Sequence, residues 1–177
     1  MRGAHLPQIQ ADRNVALGCL ADTVESQART LMNRYDEEVA YYGDYKEMLR
    51  KENLDAVFIS SPHAVHYEQA KFALNRDLHV LVEKPLTIFS RHTKALITLS
   101  EKKKRFLQVS YQRNYYAPHV CARELIRKGV LGELRGVVSY VTQNWGSISG
   151  WRLDPDLSGG GMFMDTGSHL VASTLWM

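Results

Sequence analysis

The chain has 177 residues, enough for one domain and part of another, and its 45% apolar and 23% charged side chains match ordinary folded proteins. That balance excludes disordered, collagen-like and disulfide-scaffold classes. The net charge is only +3 and the basic residues are scattered apart from Lys102-Lys103-Lys104-Arg105, so nucleic acid is not an expected partner. An apolar run from Val15 to Ala21 predicts a strand ending at Asp22, followed by a helix from Thr23 to Tyr35 with Ala28, Leu31 and Met32 on one face. A short helix near Tyr45 carries Met48 and Leu49 and leads to a strand at Ala56-Val57-Phe58-Ile59. Ser60-Ser61-Pro62 breaks that strand, and residues 64–76 read as a helix with Ala70, Ala73 and Leu74 facing a sheet. The run His79-Val80-Leu81-Val82 repeats the strand pattern. A longer helix from Ile88 to Lys104 then precedes the strand-like segment from Phe106 to Ser110. The basic run closes that helix, where cations are favoured.

Short, continuously apolar strands separated by helices predict a doubly wound α/β unit, a parallel sheet covered on both faces. The pattern then changes. A helix from about Tyr116 to Lys128 stops at Gly129, and Glu133 to Trp145 reads as one long strand whose side chains alternate between two partly covered faces. A loop from Gly146 to Ser158 and the glycines 159–161 open a final segment that can be helical to Met177. Cys19 and Cys121 stand in no metal-binding spacing, so no metal site is expected and a reducing cytoplasm is the natural setting. No apolar run reaches the roughly 18 residues of a membrane span, so no membrane partner is expected.

Ligands of open parallel sheets bind beyond the carboxyl ends of the strands, so the residues just after each strand carry the chemistry. Asp22 can accept hydrogen bonds from an adenosine ribose and repel a 2′-phosphate, although an aspartate is equally at home as a helix cap. Ser60-Ser61-Pro62-His63 lets a ligand approach backbone amides, or forms an ordinary turn, and His66 is read as a packed or capping histidine. Glu83-Lys84-Pro85 puts two opposite charges after a buried strand, where charges are costly without partners. Pro85 holds Lys84 extended, so its ammonium points in a defined direction. Asp165 and His169, four apart on a helix, predict a carboxylate orienting an imidazole for acid/base work, and the preceding glycines clear space for a close approach.

Taken together, Asp22, Ser60 to His66, Glu83-Lys84-Pro85, Gln112-Arg113, Gly132-Glu133, Trp151-Arg152 and Gly159-Gly160-Gly161 with Asp165 and His169 resemble the glucose-fructose oxidoreductase and inositol dehydrogenase family, Gfo/Idh/MocA. The resemblance spans essentially the whole chain. It implies a Rossmann-like domain over residues 1–112 and the start of a substrate and oligomerisation domain, built on an open antiparallel sheet, over residues 113–177. It further implies NAD as cofactor, with NADP as the alternative, and hydride transfer to or from a carbinol carbon of a sugar, inositol or related polyol. Lys84, Asp165 and His169 are then the catalytic residues: His169 the base, Asp165 its orienting partner or a substrate ligand, and Lys84 the cation polarising the substrate oxygen. Ser60, Pro62, His63, Glu83, Gln112 and Asp22 line the cofactor site.

The chain departs from the family pattern at both ends. Its first residues resemble the sequence that follows the family's first strand and glycine-rich phosphate turn. Its last stand where the second domain is half built, and Ala172 occupies a position where many members carry an aspartate. The expectation is therefore a piece of an oxidoreductase whose full-length form is homo-oligomeric. The competing expectation is a non-catalytic remnant that binds a ligand or partner.

Overall fold

A computed structural model describes residues 5–34, 39–144 and 146–177. The chain opens with a short helix not anticipated from the sequence, α1 (Leu6–Ala11), started by a proline in its first turn, where a missing N–H costs nothing. Met1 to Ala4, read as following a phosphate turn, lie outside the described residues. β1 (Cys19–Ala21) is shorter than the apolar run that predicts it, and α2 (Glu25–Met32) follows with Ala28 and Leu31 buried. The predicted end of that helix at Tyr35 also lies outside the described residues. β2 (Ala40–Tyr42) then pairs parallel with β1, although no strand was expected there.

Asp44 caps α3 (Tyr45–Lys51) by accepting a hydrogen bond from the Lys46 amide. The predicted alternation then holds: β3 (Ala56–Ile59), a 3₁₀ turn over His63–Val65, α4 (His66–Asn75), β4 (His79–Glu83), α5 (Ser90–Lys103) and β5 (Leu107–Ser110). β3, β4 and β5 form a parallel sheet in that order, and β1 and β2 form a second, two-stranded parallel sheet. Ala70, Ala73 and Leu74 of α4 are completely buried, the two alanines letting the helix axis come close to the sheet. Leu74, Leu96, His66 and Val82 form the deepest part of the core. The basic run ends α5 as predicted: Lys102 and Lys103 stand in its last turn, Lys104 is left-handed at φ 54°, and the Lys103 Nζ reaches the Asp77 carboxylate at 3.0 Å.

A 3₁₀ turn over Gln112–Tyr115 leads into α6 (Ala117–Arg127), which stops just before Gly129. The long strand expected over residues 133–145 is not formed. Residues 133–144 enter no ladder, and Val138 and Tyr140 are 97% and 85% exposed; Trp145 lies outside the described residues. The alternating pattern is a property of the side chains, but a strand needs a neighbour to bond, and none of the described residues supplies one. A 3₁₀ turn over Gly150–Leu153, α7 (Pro155–Ser158), a π-helical turn over Phe163–Gly167 and α8 (Ser168–Trp176) complete the chain. α8 docks through a buried hydrogen bond of 2.8 Å from the Ser173 hydroxyl to Asn114 Oδ1. Among the described residues no helix is long and apolar enough to cross a membrane.

Candidate active site

β4 delivers Glu83 to the carboxyl edge of the larger sheet, opposite Ser110 of β5, and Lys84 follows directly. The Lys84–Pro85 peptide is cis. The Lys84 ammonium donates to both the carboxylate and the backbone carbonyl of Asp165, with the two side chains 13% and 15% exposed. Two of its three N–H donors are thereby engaged and the third is left for another acceptor. Arg152 approaches the other carboxylate oxygen at 3.6 Å while its guanidinium lies 4.4 Å from the Trp151 ring centre. Burial alone would raise the Asp165 carboxyl. The bond and charge of Lys84, helped by Arg152 and His63, outweigh it and hold the group below its ordinary value of 3.8.

His169, in the first turn of α8, is only 5% exposed, and its buried Nδ1 has no hydrogen-bond partner among the described residues. Burial first, then the positive charges of Lys84 and Arg113, push its pKa down to about 4, so the ring is neutral at pH 7. The expected pairing with Asp165 is not made, because the Asp165 carboxylate is spent on Lys84. Asp165 lies in the π-helical turn that precedes α8, where its side chain meets Lys84 at the end of β4. Tyr111 instead meets the His169 ring edge-on at 5.8 Å. Of the glycines before this turn, Gly159 adopts φ +70° and a Cβ there would lie 2.1 Å from Ile88, so only glycine fits.

The loop after β3 places its residues unequally. Ser60 is exposed, Ser61 donates to the Gln69 side chain at 2.6 Å, and Pro62 is half-buried. His63 is 3% exposed; its Nδ1 lies 2.8 Å from the Ser158 carbonyl and its ring meets Trp151 edge-on at 4.7 Å. His66 is the packed histidine the sequence suggests, wholly buried with its ring nitrogens 2.9 Å from the carbonyls of Pro85 and Ser61. Burial lowers its pKa while the two carbonyls oppose that; a neutral ring has one N–H and bonds one carbonyl at a time.

Asp22 follows β1 and accepts a 2.8 Å bond from the Val24 amide two residues on, a local turn ahead of α2 and not a cap of it, since Val24 is the N-cap and α2 has no side-chain cap; that bond uses one of the two carboxylate oxygens. Glu83 is held by a residue the sequence gave no reason to choose: His5 Nε2 lies 2.7 Å from its Oε1 and 3.3 Å from the Ser110 hydroxyl, with its ring against Phe58. Contacts 78 and 105 residues apart leave no local signal. Gln112 Oε1 is buried without a hydrogen-bond partner among the described residues. Lys84, Asp165, His169, Glu83, Gln112 and His63 thus converge on the carboxyl end of the β3–β4–β5 sheet, while Asp22 stands at the end of β1 in the other sheet. A groove of about 260 Å³ between α4 and α5, lined by Tyr67, Lys71 and Leu96, includes none of them. No metal-binding group of three side chains occurs among the described residues.

The donor set suits a dinucleotide. Strand ends of a parallel sheet, a carboxylate after β1, and buried Gln112 and His169 atoms awaiting partners are what a ribose and a carboxamide-bearing ring require.

Comparison with known proteins agrees with this geometry. Residues 1–111 match the oxidoreductase family with an NAD-binding Rossmann fold, and residues 119–177 match the GFO/IDH/MocA C-terminal domain. The chain is 33% identical over 173 residues to D-xylose 1-dehydrogenase (NADP(+)) 2 of Haloferax volcanii, covering 95% of this chain and 51% of that protein. It is 26% identical to D-glucoside 3-dehydrogenase of Escherichia coli, covering 93% of this chain and 47% of that protein. The crystal structure of an oxidoreductase domain protein from Kribbella flavida superposes with a TM-score of 0.89 at 24% identity, covering 99% of this chain and 49% of that one, which establishes the fold. The chain spans about half the length of the curated relatives it matches. It belongs to the Gfo/Idh/MocA family of oxidoreductases.

Proposed function

We propose that this chain carries the cofactor-facing and acid/base machinery of an NAD-dependent dehydrogenase that acts on a CH–OH group of a sugar or polyol. The observation that carries the reading is the cluster at the end of β4: Lys84 paired to Asp165 with one donor free, beside a buried neutral His169. Residues 1–112 form the dinucleotide-binding unit and residues 113–177 the beginning of the substrate unit, a division supported by the two family matches. Relatives named as xylose and glucoside dehydrogenases support a sugar as substrate.

Gln112 and Glu83 would hold the nicotinamide end of NAD, and Asp22 the adenosine ribose. The bound nicotinamide supplies hydride exchange with a carbinol carbon. The free N–H of Lys84 donates to the substrate oxygen and stabilises negative charge that develops there. Asp165 fixes the direction of that ammonium, and His169, neutral at pH 7, accepts the hydroxyl proton at a ring nitrogen. Asp22 favours NAD because a 2′-phosphate would meet its carboxylate.

Steady-state oxidation of a panel of aldoses, glucosides and inositols with NAD and NADP tests the reading. Lys84→Ala and His169→Ala are each expected to lower kcat/KM at least 100-fold, the scale of one lost electrostatic or acid/base group. Wild-type rates in either variant would overturn it, and tighter binding of NADP than of NAD would overturn the role of Asp22.

A further inference from the structure

We propose that His63 is a positioning residue for the Lys84–Asp165 pair: its Nδ1–H tethers the 150–161 segment through the Ser158 carbonyl, and its unprotonated Nε2 faces the Asp165 carboxylate, leaving that carboxylate to Lys84. The inference rests on the reading of Lys84 and Asp165 as reaction groups, and it gives His63 a different part from that of a residue lining the cofactor.

The tautomer follows from the acceptor. A backbone carbonyl only accepts, so the ring nitrogen 2.8 Å from Ser158 O carries the hydrogen. In the neutral ring Nε2 then presents a lone pair, and it lies 3.7 Å from Asp165 Oδ1, beyond hydrogen-bond reach of a group that is itself only an acceptor. Neither atom competes with the ammonium for the carboxylate. Protonation would turn Nε2 into a second cationic donor beside Asp165, in direct competition with Lys84.

The surroundings decide which state prevails. His66, on the helix that follows the His63 turn, lies 5.8 Å away ring to ring; Lys84 comes from the end of β4; Asp165 comes from the π-helical turn, with Arg152 on its far side. Trp151 closes the remaining side with its edge 4.7 Å from ring centre to ring centre, and α7 contributes the Ser158 carbonyl. Burial, His66 and Lys84 disfavour a charge on His63; the Ser158 bond and Asp165 favour one; the former prevail and hold its pKa below the ordinary 6.5. Near neutral pH the contact is therefore a tether and a spacer. In acid it becomes a competitor.

Isotope-edited NMR of the full chain reads each element without cofactor or substrate, so its outcome is separate from turnover lost in Lys84→Ala. Imidazole nitrogen shifts at pH 7.5 are expected to show the Nδ1–H tautomer for His63. On acidification, the Asp165 carboxyl carbon should shift in a step that shares the His63 midpoint, which lies below 6.5. His63→Asn keeps a donor for the Ser158 carbonyl and removes the titrating nitrogen, so the step should vanish while the tether survives. His63→Ala should in addition speed amide exchange in residues 158–161 about tenfold, the effect of one lost hydrogen bond on local opening. An Nε2–H tautomer, an unchanged Asp165 step in His63→Asn, or unchanged exchange in a folded His63→Ala would each overturn the proposal. If His63→Ala does not fold, the tautomer and the asparagine variant decide.

Discussion

A buried neutral histidine makes stability depend on pH in a calculable way. His169 has an ordinary value of 6.5 in the unfolded chain and about 4 in the folded one. Between those values the unfolded form binds the extra proton, so folding stability rises with pH across the window and falls as acid is added. Linkage gives a loss of about 2 kcal/mol at pH 5 relative to neutral pH from this group alone, and about 3 kcal/mol when the pH falls below 4. His63 and His66, also lowered by burial, act in the same direction. Asp165 does not confuse the measurement: its folded value is depressed below 3.8, so the stability it contributes is present above 3.8 and is lost only as the pH falls below that. The assay is urea unfolding followed by tryptophan fluorescence at pH 7.5 and pH 5, on the native chain and on His169→Gln. The native chain should lose at least about 2 kcal/mol over that interval, and the variant should lose about 2 kcal/mol less than the native chain does. Stability that is flat between pH 7.5 and 5, or an identical slope in His169→Gln, would refute the reasoning.

Three further expectations follow from the same geometry. Asp165→Asn leaves the largely buried Lys84 ammonium without its counter-charge and should cost about 2–4 kcal/mol at pH 7, with part of the loss restored by adding Lys84→Met; a denaturant double-mutant cycle measures both. Ala172→Asp places a carboxylate three residues beyond His169 on α8, which should raise the His169 titration midpoint by about one unit or more, followed by proton NMR; a midpoint still near 4 would show that the carboxylate does not reach the ring. Gly159→Ala should destabilise by about 2–4 kcal/mol through its left-handed backbone and its overlap with Ile88, whereas Gly161→Ala, with open space around its Cβ, should stay within about 0.5 kcal/mol; thermal unfolding separates them.

The sequence made the parallel α/β core readable because each element announces itself within a few residues. Ala70, Ala73 and Leu74 repeat at helical spacing, and the apolar runs ending at Ile59 and Val82 are bounded by turn residues. β2 escaped because it has only the residues Ala40–Tyr42, too few to show a period, and owes its existence to pairing with β1. The stretch over residues 133–144 failed in the opposite sense: its alternation is plain, yet ladders are made by partners and not by pattern. In the site, Lys84 was legible as a charge after a buried strand, and Asp165 and His169 as a pair at helical spacing. Their arrangement was not, because a π-helical turn and an ion pair spanning 81 residues are decided by tertiary packing. His5 beside Glu83 left no trace in either local sequence.

The distance along the chain between Lys84 and Asp165 also has a consequence in time. A ribosome adds about 5–20 residues per second, so Lys84 emerges roughly 4–16 s before the carboxylate that will restrain it, which lies 81 residues later. Through that interval the Lys84 ammonium has no Asp165 carboxylate to pair with. The Lys84–Asp165 pair can therefore form only once the turn that carries Asp165 has docked against the end of β4. A synthesis product stopped short of that turn would hold Lys84 without the carboxylate and carbonyl that fix the direction of its ammonium.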